Sequence, residues 1–237
     1  MIRFEGIRKA FGVREILRGV DLEVRRGRVL ALVGPNAAGK TTLIKSLLGL
    51  TRIDQGVISL DGAPVDARGA YRARIGYMPQ IADFPENLTG AHLLDMLTAI
   101  RRSTGPLDDE LLEAFDLAPH LGQRFRVLSG GTRQRLNAVM AFRFRPDVLI
   151  LDEPTAGLDP VGSGILKDKI RRARNEGATV MITSHILSEL EELADDVAFL
   201  LDGTVRYAGG LPELKRRTHQ STLERAIAHL MLAEVAA

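Results

Sequence analysis

Val29-Leu30-Ala31-Leu32-Val33-Gly34-Pro35-Asn36-Ala37-Ala38-Gly39-Lys40-Thr41-Thr42 decides how this chain is read. Five apolar residues make a buried strand, and Leu43-Ile44-Lys45-Ser46-Leu47-Leu48 continues with helical character. Between them, Gly34 to Thr41 keeps the spacing G-x-x-x-x-G-K-S/T of a phosphate-binding loop. Its two glycines let the backbone wrap a phosphate chain, so that successive N–H groups point inward. The following helix N-terminus adds partial positive charge. In that pattern Lys40 reaches the β- and γ-phosphates and Thr41 offers its hydroxyl to Mg²⁺. A glycine-rich turn ahead of an ordinary helix is the plainer alternative, and the strand–loop–helix context weighs against it.

The other candidates lie further along. Val148-Leu149-Ile150-Leu151 is a buried strand that ends in Asp152-Glu153. Apolar strands do end at acidic turns, but beside a phosphate loop the pair has a chemical reading. Asp152 would hold Mg²⁺ through water and Glu153 would act as general base on the attacking water. Thr179-Val180-Met181-Ile182-Thr183 is another parallel-sheet strand, with Ser184-His185 at its carboxyl end, the edge where α/β ligands bind. The other histidines, His92, His120, His219 and His229, have no such placement. Ser129-Gly130-Gly131-Thr132-Arg133-Gln134 starts a helix. Ser129 is either a plain N-cap or part of a second phosphate-binding helix start. Asp159-Pro160 is an N-cap followed by proline at the first helical position. Phe11 is either a core aromatic or a ring for a purine base, and Gln80 stands just past the strand Ile75–Met78.

Between these motifs the chain alternates in type. Residues 2–33 read as β structure, 81–145 as helices, and Val197–Leu201 with Thr204–Tyr207 as a hairpin turning at Asp202-Gly203. In the tail, Leu223, Ile227, Leu230, Met231 and Val235 recur at helical spacing, as a stripe that packs on its own domain or on a partner. The 237 residues can bury a good core, with 45% hydrophobic and 26% charged residues. Balanced charge, 32 basic against 30 acidic residues, does not favour a nucleic-acid partner. Absence of cysteine excludes thiol catalysis and thiolate metal sites. The start of the chain has no signal-peptide core, and no apolar run approaches membrane-spanning length. The expected location is cytoplasmic unless a partner carries the chain to a membrane.

With these residues in order, the chain resembles the ATP-binding subunits of ABC transporters over about residues 2–215. Phe11 matches the base-stacking position, Gly34–Thr42 the Walker A loop, and Gln80 the glutamine that senses Mg²⁺ and the membrane partner. Leu128–Gln134 matches the signature motif, Val148–Glu153 Walker B with its catalytic glutamate, Ala156–Asp159 the D-loop, and His185 the switch histidine. The resemblance implies an α/β P-loop NTPase with a RecA-like core over 1–80 and 146–215. It also implies an N-terminal antiparallel β subdomain, an inserted helical signature subdomain over 81–145, and a short helical tail over 216–237. ATP and Mg²⁺ are the implied cofactors. Implied partners are a second copy of the chain, which would bring Ser129–Gly131 to the first copy's ATP, and a membrane permease. The chain would then lie peripherally on the cytoplasmic face. The permease would dock near residues 81–100, including Phe84, Pro85 and Asn87.

Two departures stand out. Ala37 occupies a position where many members carry glycine, and alanine is strained there if the residue takes a positive φ. Thr132 replaces the usual glutamine or methionine. Among alternatives, a soluble ATPase acting on DNA or ribosomes would need long heptads or a second phosphate loop. A P-loop kinase or G protein would lack the signature and switch motifs, and a weakly hydrolysing regulatory cassette fits poorly with Glu153 and His185. The short tail leans towards export. Ile165–Ile170 and Ser184–Leu193 are similar to the ATPases of nitrous-oxide-reductase maturation, which implies a link to copper-site assembly.

Overall fold

A computed structural model describes residues 1–66, 69–102 and 105–235, with side chains up to residue 232. The chain runs β1 (Ile2–Phe11), β2 (Arg14–Val24), β3 (Val29–Val33), α1 (Lys40–Leu47), β4 (Gln55–Leu60), β5 (Ala63–Pro64) and β6 (Ile75–Met78). Three helices follow, α2 (Gly90–Arg101), α3 (Glu110–Ala114) and α4 (Gly130–Phe142). Then come β7 (Val148–Asp152), α5 (Pro160–Asn175), β8 (Thr179–Thr183), α6 (Leu187–Leu193), β9 (Asp196–Leu201), β10 (Thr204–Gly210), α7 (Leu211–Thr218) and α8 (Leu223–Val235).

Two sheets result. One is antiparallel with order β2-β1-β4-β5; the other has order β10-β9-β3-β8-β7-β6 and is parallel except for the edge pair β9–β10. The reason is visible in β3, β7 and β8, whose five residues are buried on both faces. Successive side chains feed two cores. Val29, Ala31, Leu149, Leu151, Val180 and Ile182 pack with the later helices. Leu30, Leu32, Val148, Ile150 and Met181 pack with α1 and the antiparallel sheet.

Local signals set the element ends. Thr89 caps α2 by accepting from His92 N–H at 3.2 Å, and Asp159 caps α5 by accepting from Gly162 N–H at 2.7 Å. Asp202 and Gly203 both take positive φ, 48° and 76°, as the two-residue turn between β9 and β10 requires. The short α3 ends at Ala114, and Asp116 turns left-handed at φ 48° two residues on. In the tail, Leu223 and Ile227 are buried against the main core, whereas Met231 is half exposed. The stripe therefore packs on its own domain; Val235 lies outside the described side chains.

The helical segment is held to the sheet domain partly by a buried cation. Lys169 of α5 is 5% exposed and donates to Asp108 at 2.6 Å and Glu110 at 2.7 Å. Removing one partner of a buried pair strands the other charge. Lys169→Met should therefore destabilise the chain by about 2 kcal/mol, reduced from the fully buried case because Glu110 is partly exposed. The matching fall in Tm is roughly 4–8 °C for a chain of this length. An unchanged Tm by calorimetry would show that the pair does not hold the segment.

Candidate functional site

The loop from Gly34 to Gly39 joins β3 to α1, and both of its glycines are required. A Cβ on Gly34 would run into the Leu200 carbonyl of β9, and Gly39 takes φ 109°. Ala37 takes φ 64°, a left-handed conformation that strains an L-residue by about 1 kcal/mol. The condition stated for Ala37 from sequence is therefore met. Lys40 folds back over the loop, its Nζ donating to Gly34 O at 2.6 Å and Pro35 O at 3.0 Å. Burial lowers its pKa, and Glu153 and Asp152 partly oppose that shift.

Opposite the loop stand the ends of β7 and β8, with Asp152 paired to Thr183 across the ladder. Thr183 Oγ1 donates to Asp152 Oδ1 at 2.6 Å and accepts from Glu153 N–H at 3.1 Å. Glu153 is 7% exposed and sits at φ 53°, a left-handed conformation held by that bond and a second to Thr183 O at 3.2 Å. Its carboxylate faces His185: Oε2 accepts the His185 backbone N–H at 3.0 Å, and Oε1 lies 3.2 Å from His185 Nε2. Asp152 also helps to raise the Tyr77 pKa to about 12, after burial, which is the larger cause.

These elements enclose a cavity of about 390 Å³ lined by Asn36–Thr42, Gln80, Asp152, Glu153 and His185, with Arg14 and Ile16 at one end. Gly34 and Pro35 stand behind it, through the carbonyls that hold Lys40. Thr41, Gln80 and Asp152 offer oxygen donors, the class that Mg²⁺ takes. Among the described residues no three His, Cys, Asp or Glu side chains form a metal cluster.

Phe11, Ser129, Gly130, Gly131 and Asp159 lie away from this lining. Phe11 is 55% exposed, with Lys9 Nζ 5.2 Å from its ring centroid. Ser129 caps α4, accepting from Thr132 N–H at 3.1 Å, and Gly130 and Gly131 form the first turn. Asp159 caps α5 and pairs with Arg135 of α4. Sequence reading gave no role to Thr183, Arg14, Ile16 or the buried amide Asn137, and it placed Gln134 in the signature motif without showing that its side chain is buried. A hydroxyl closing an apolar strand beside Ser184-His185 was the available signal for Thr183.

A family model described as ABC transporter matches residues 17–156, more than half of the chain. The daunorubicin resistance ATP-binding protein DrrA3 of Streptomyces coeruleorubidus is 40% identical over 223 residues, covering 92% of this chain and 70% of that protein. The Nod factor export ATP-binding protein I of Burkholderia lata is 36% identical over 219 residues, covering 89% of this chain and 71% of that protein. Among solved structures, an ATP-binding subunit of an ABC transporter superposes with TM-score 0.91 at 28% identity, covering 98% of this chain and 99% of that one.

The strain at Ala37 has a direct consequence. Ala37→Gly should raise ligand-free stability by about 1 kcal/mol and Tm by roughly 2–4 °C. A lowered or unchanged Tm in a thermal melt would mean that the loop is not strained there.

Proposed function

The chain belongs to the ABC transporter family, and on that premise we propose that it is the ATP-hydrolysing subunit of an exporter. It would work as a head-to-tail pair beneath a separate membrane permease. The observation that carries this reading is a division of parts. Loop, acidic pair and His185 converge on one cavity, while Ser129–Gly131 sit outside it on the exposed start of α4.

The backbone N–H groups of the loop and Lys40 would take the β- and γ-phosphates of ATP, displacing the Gly34 and Pro35 carbonyls from the ammonium. Phe11, exposed at the β1 end, would stack on the base. Mg²⁺ would be held by Thr41, Gln80 and Asp152 and would supply charge neutralisation between the phosphates. Glu153 would take a proton from water as the water oxygen bonds to the γ-phosphorus and the bond to the bridging oxygen breaks, leaving ADP and phosphate. His185, already against Glu153, would meet the γ-phosphate. A second copy would add Ser129, Gly130, Gly131 and Asp159 from the far side, so hydrolysis would wait for closure.

Names of the relatives support the direction of transport: one is a drug-resistance protein and the other a Nod factor export protein. For the permease, the segment after Gln80 offers an apolar surface in Ile81, 76% exposed, next to Phe84, which is fixed edge-on to Phe125 at 5.5 Å. Among the described residues no helix is long and apolar enough to cross a membrane. We place the chain on the cytoplasmic face through that permease. The division of labour we assign is a core of 1–80 and 146–215, a helical signature segment of 81–145 that meets the permease near residues 81–100, and a tail of 216–237. Nothing in the site or in the relatives named above favours the copper-linked cargo implied by the sequence resemblance.

Glu153→Gln should lower kcat by at least about 100-fold, the lower end of what a general base contributes, and leave an ATP-dependent dimer on gel filtration. Turnover at the wild-type rate would remove Glu153 from the assigned role.

A further inference from the structure

Two amide side chains lie buried behind the cavity without lining it. Asn137 is 1% exposed and Gln134 is 6% exposed, on a stretch of α4 whose neighbours Leu136 and Ala138–Phe142 are apolar core. Asn137 Nδ2 donates to Pro79 O at 2.9 Å, the carbonyl just before Gln80, and approaches Gln134 Oε1 at 3.5 Å. Gln134 Nε2 donates to Pro154 O at 3.1 Å and reaches Glu153 O at 3.4 Å. Just over one turn before Gln134, Ser129 caps α4; in the same turn as Gln134, Arg135 pairs with Asp159.

Packing alone does not call for these groups. A buried amide left unpaired is costly, so two of them are tolerated only where their hydrogen bonds are met. Their partners are backbone carbonyls on the two segments that carry Gln80 and Glu153. A shift of α4 against either segment breaks a bond for which bulk water is no ready substitute, because both amides are buried.

We propose that Gln134 and Asn137 are positioning residues: an amide relay that locks the start of α4 to the Gln80 segment and to the Glu153 turn. Displacement of the Gln80 segment then moves Ser129–Gly131 and the general base together. Neither amide touches nucleotide, so their loss weakens the closed, hydrolysing arrangement and leaves the first encounter with ATP intact. The inference rests on the roles proposed above for Glu153 and Ser129–Gly131.

The test uses the purified full chain with Gln134→Met, Asn137→Ser and the double variant. The readouts are kcat, the Kd of a fluorescent ATP analogue, and the melting curve. Each single variant should lose about tenfold in kcat, the size of one lost buried hydrogen bond, with Kd within about twofold of wild type. The double variant should be little worse than the poorer single one, because the amides act in series. Wild-type kcat in either folded variant would overturn the relay. Equal losses in kcat and binding would also overturn it, as would failure of both single variants to fold, since either would mark the amides as packing alone. A wild-type chain with no ATPase activity in the same assay would instead count against the proposed function.

Discussion

The site depends on the pairing of β7 with β8 in one register, Asp152 opposite Thr183. That register lets one hydroxyl serve two purposes, donating to the Asp152 carboxylate and accepting the N–H of Glu153. Glu153 is thereby held in a left-handed backbone conformation that alone would be unfavourable. Its carboxylate then meets His185, which follows β8 by two residues. A slip of one residue would turn Asp152 to the other face of the sheet and separate it from the hydroxyl. Because β3 also pairs with β8, the same edge receives the phosphate loop.

Two residues in left-handed backbone and one partly buried cation meet where the phosphates would lie. Ala37 and Glu153 both take positive φ, on opposite walls of one cavity. Lys40 is partly desolvated there and satisfied by two loop carbonyls, so its ammonium already sits where an anion would replace them. Fixed donors in a sheltered cavity stabilise charge better than donors that must first reorganise.

Much of this was legible in the sequence because its signals are local. The glycine spacing, the five-residue apolar strands, the caps Ser129 and Asp159, and the Asp202-Gly203 turn each involve residues within a few positions of one another. What was not legible is non-local. No periodicity states that β3 lies between β9 and β8, or that Thr183 faces Asp152. The burial of Gln134 and Asn137 against the carbonyls of Pro154 and Pro79 is likewise a contact between residues far apart in the chain. Arg14 and Ile16 reach the cavity only because β2 passes beside it, while Phe11, the more conspicuous residue, stays outside.

The central claim is that one chain holds half of a hydrolytic site, with Ser129–Gly131 placed to complete another copy's cavity. The most direct test is the ATPase rate per chain, measured at saturating ATP and Mg²⁺ across a range of chain concentrations. A half-site predicts a rate per chain that rises with concentration and levels off as pairs form. A rate that stays constant down to concentrations where the chain elutes as a monomer with ATP present would contradict it.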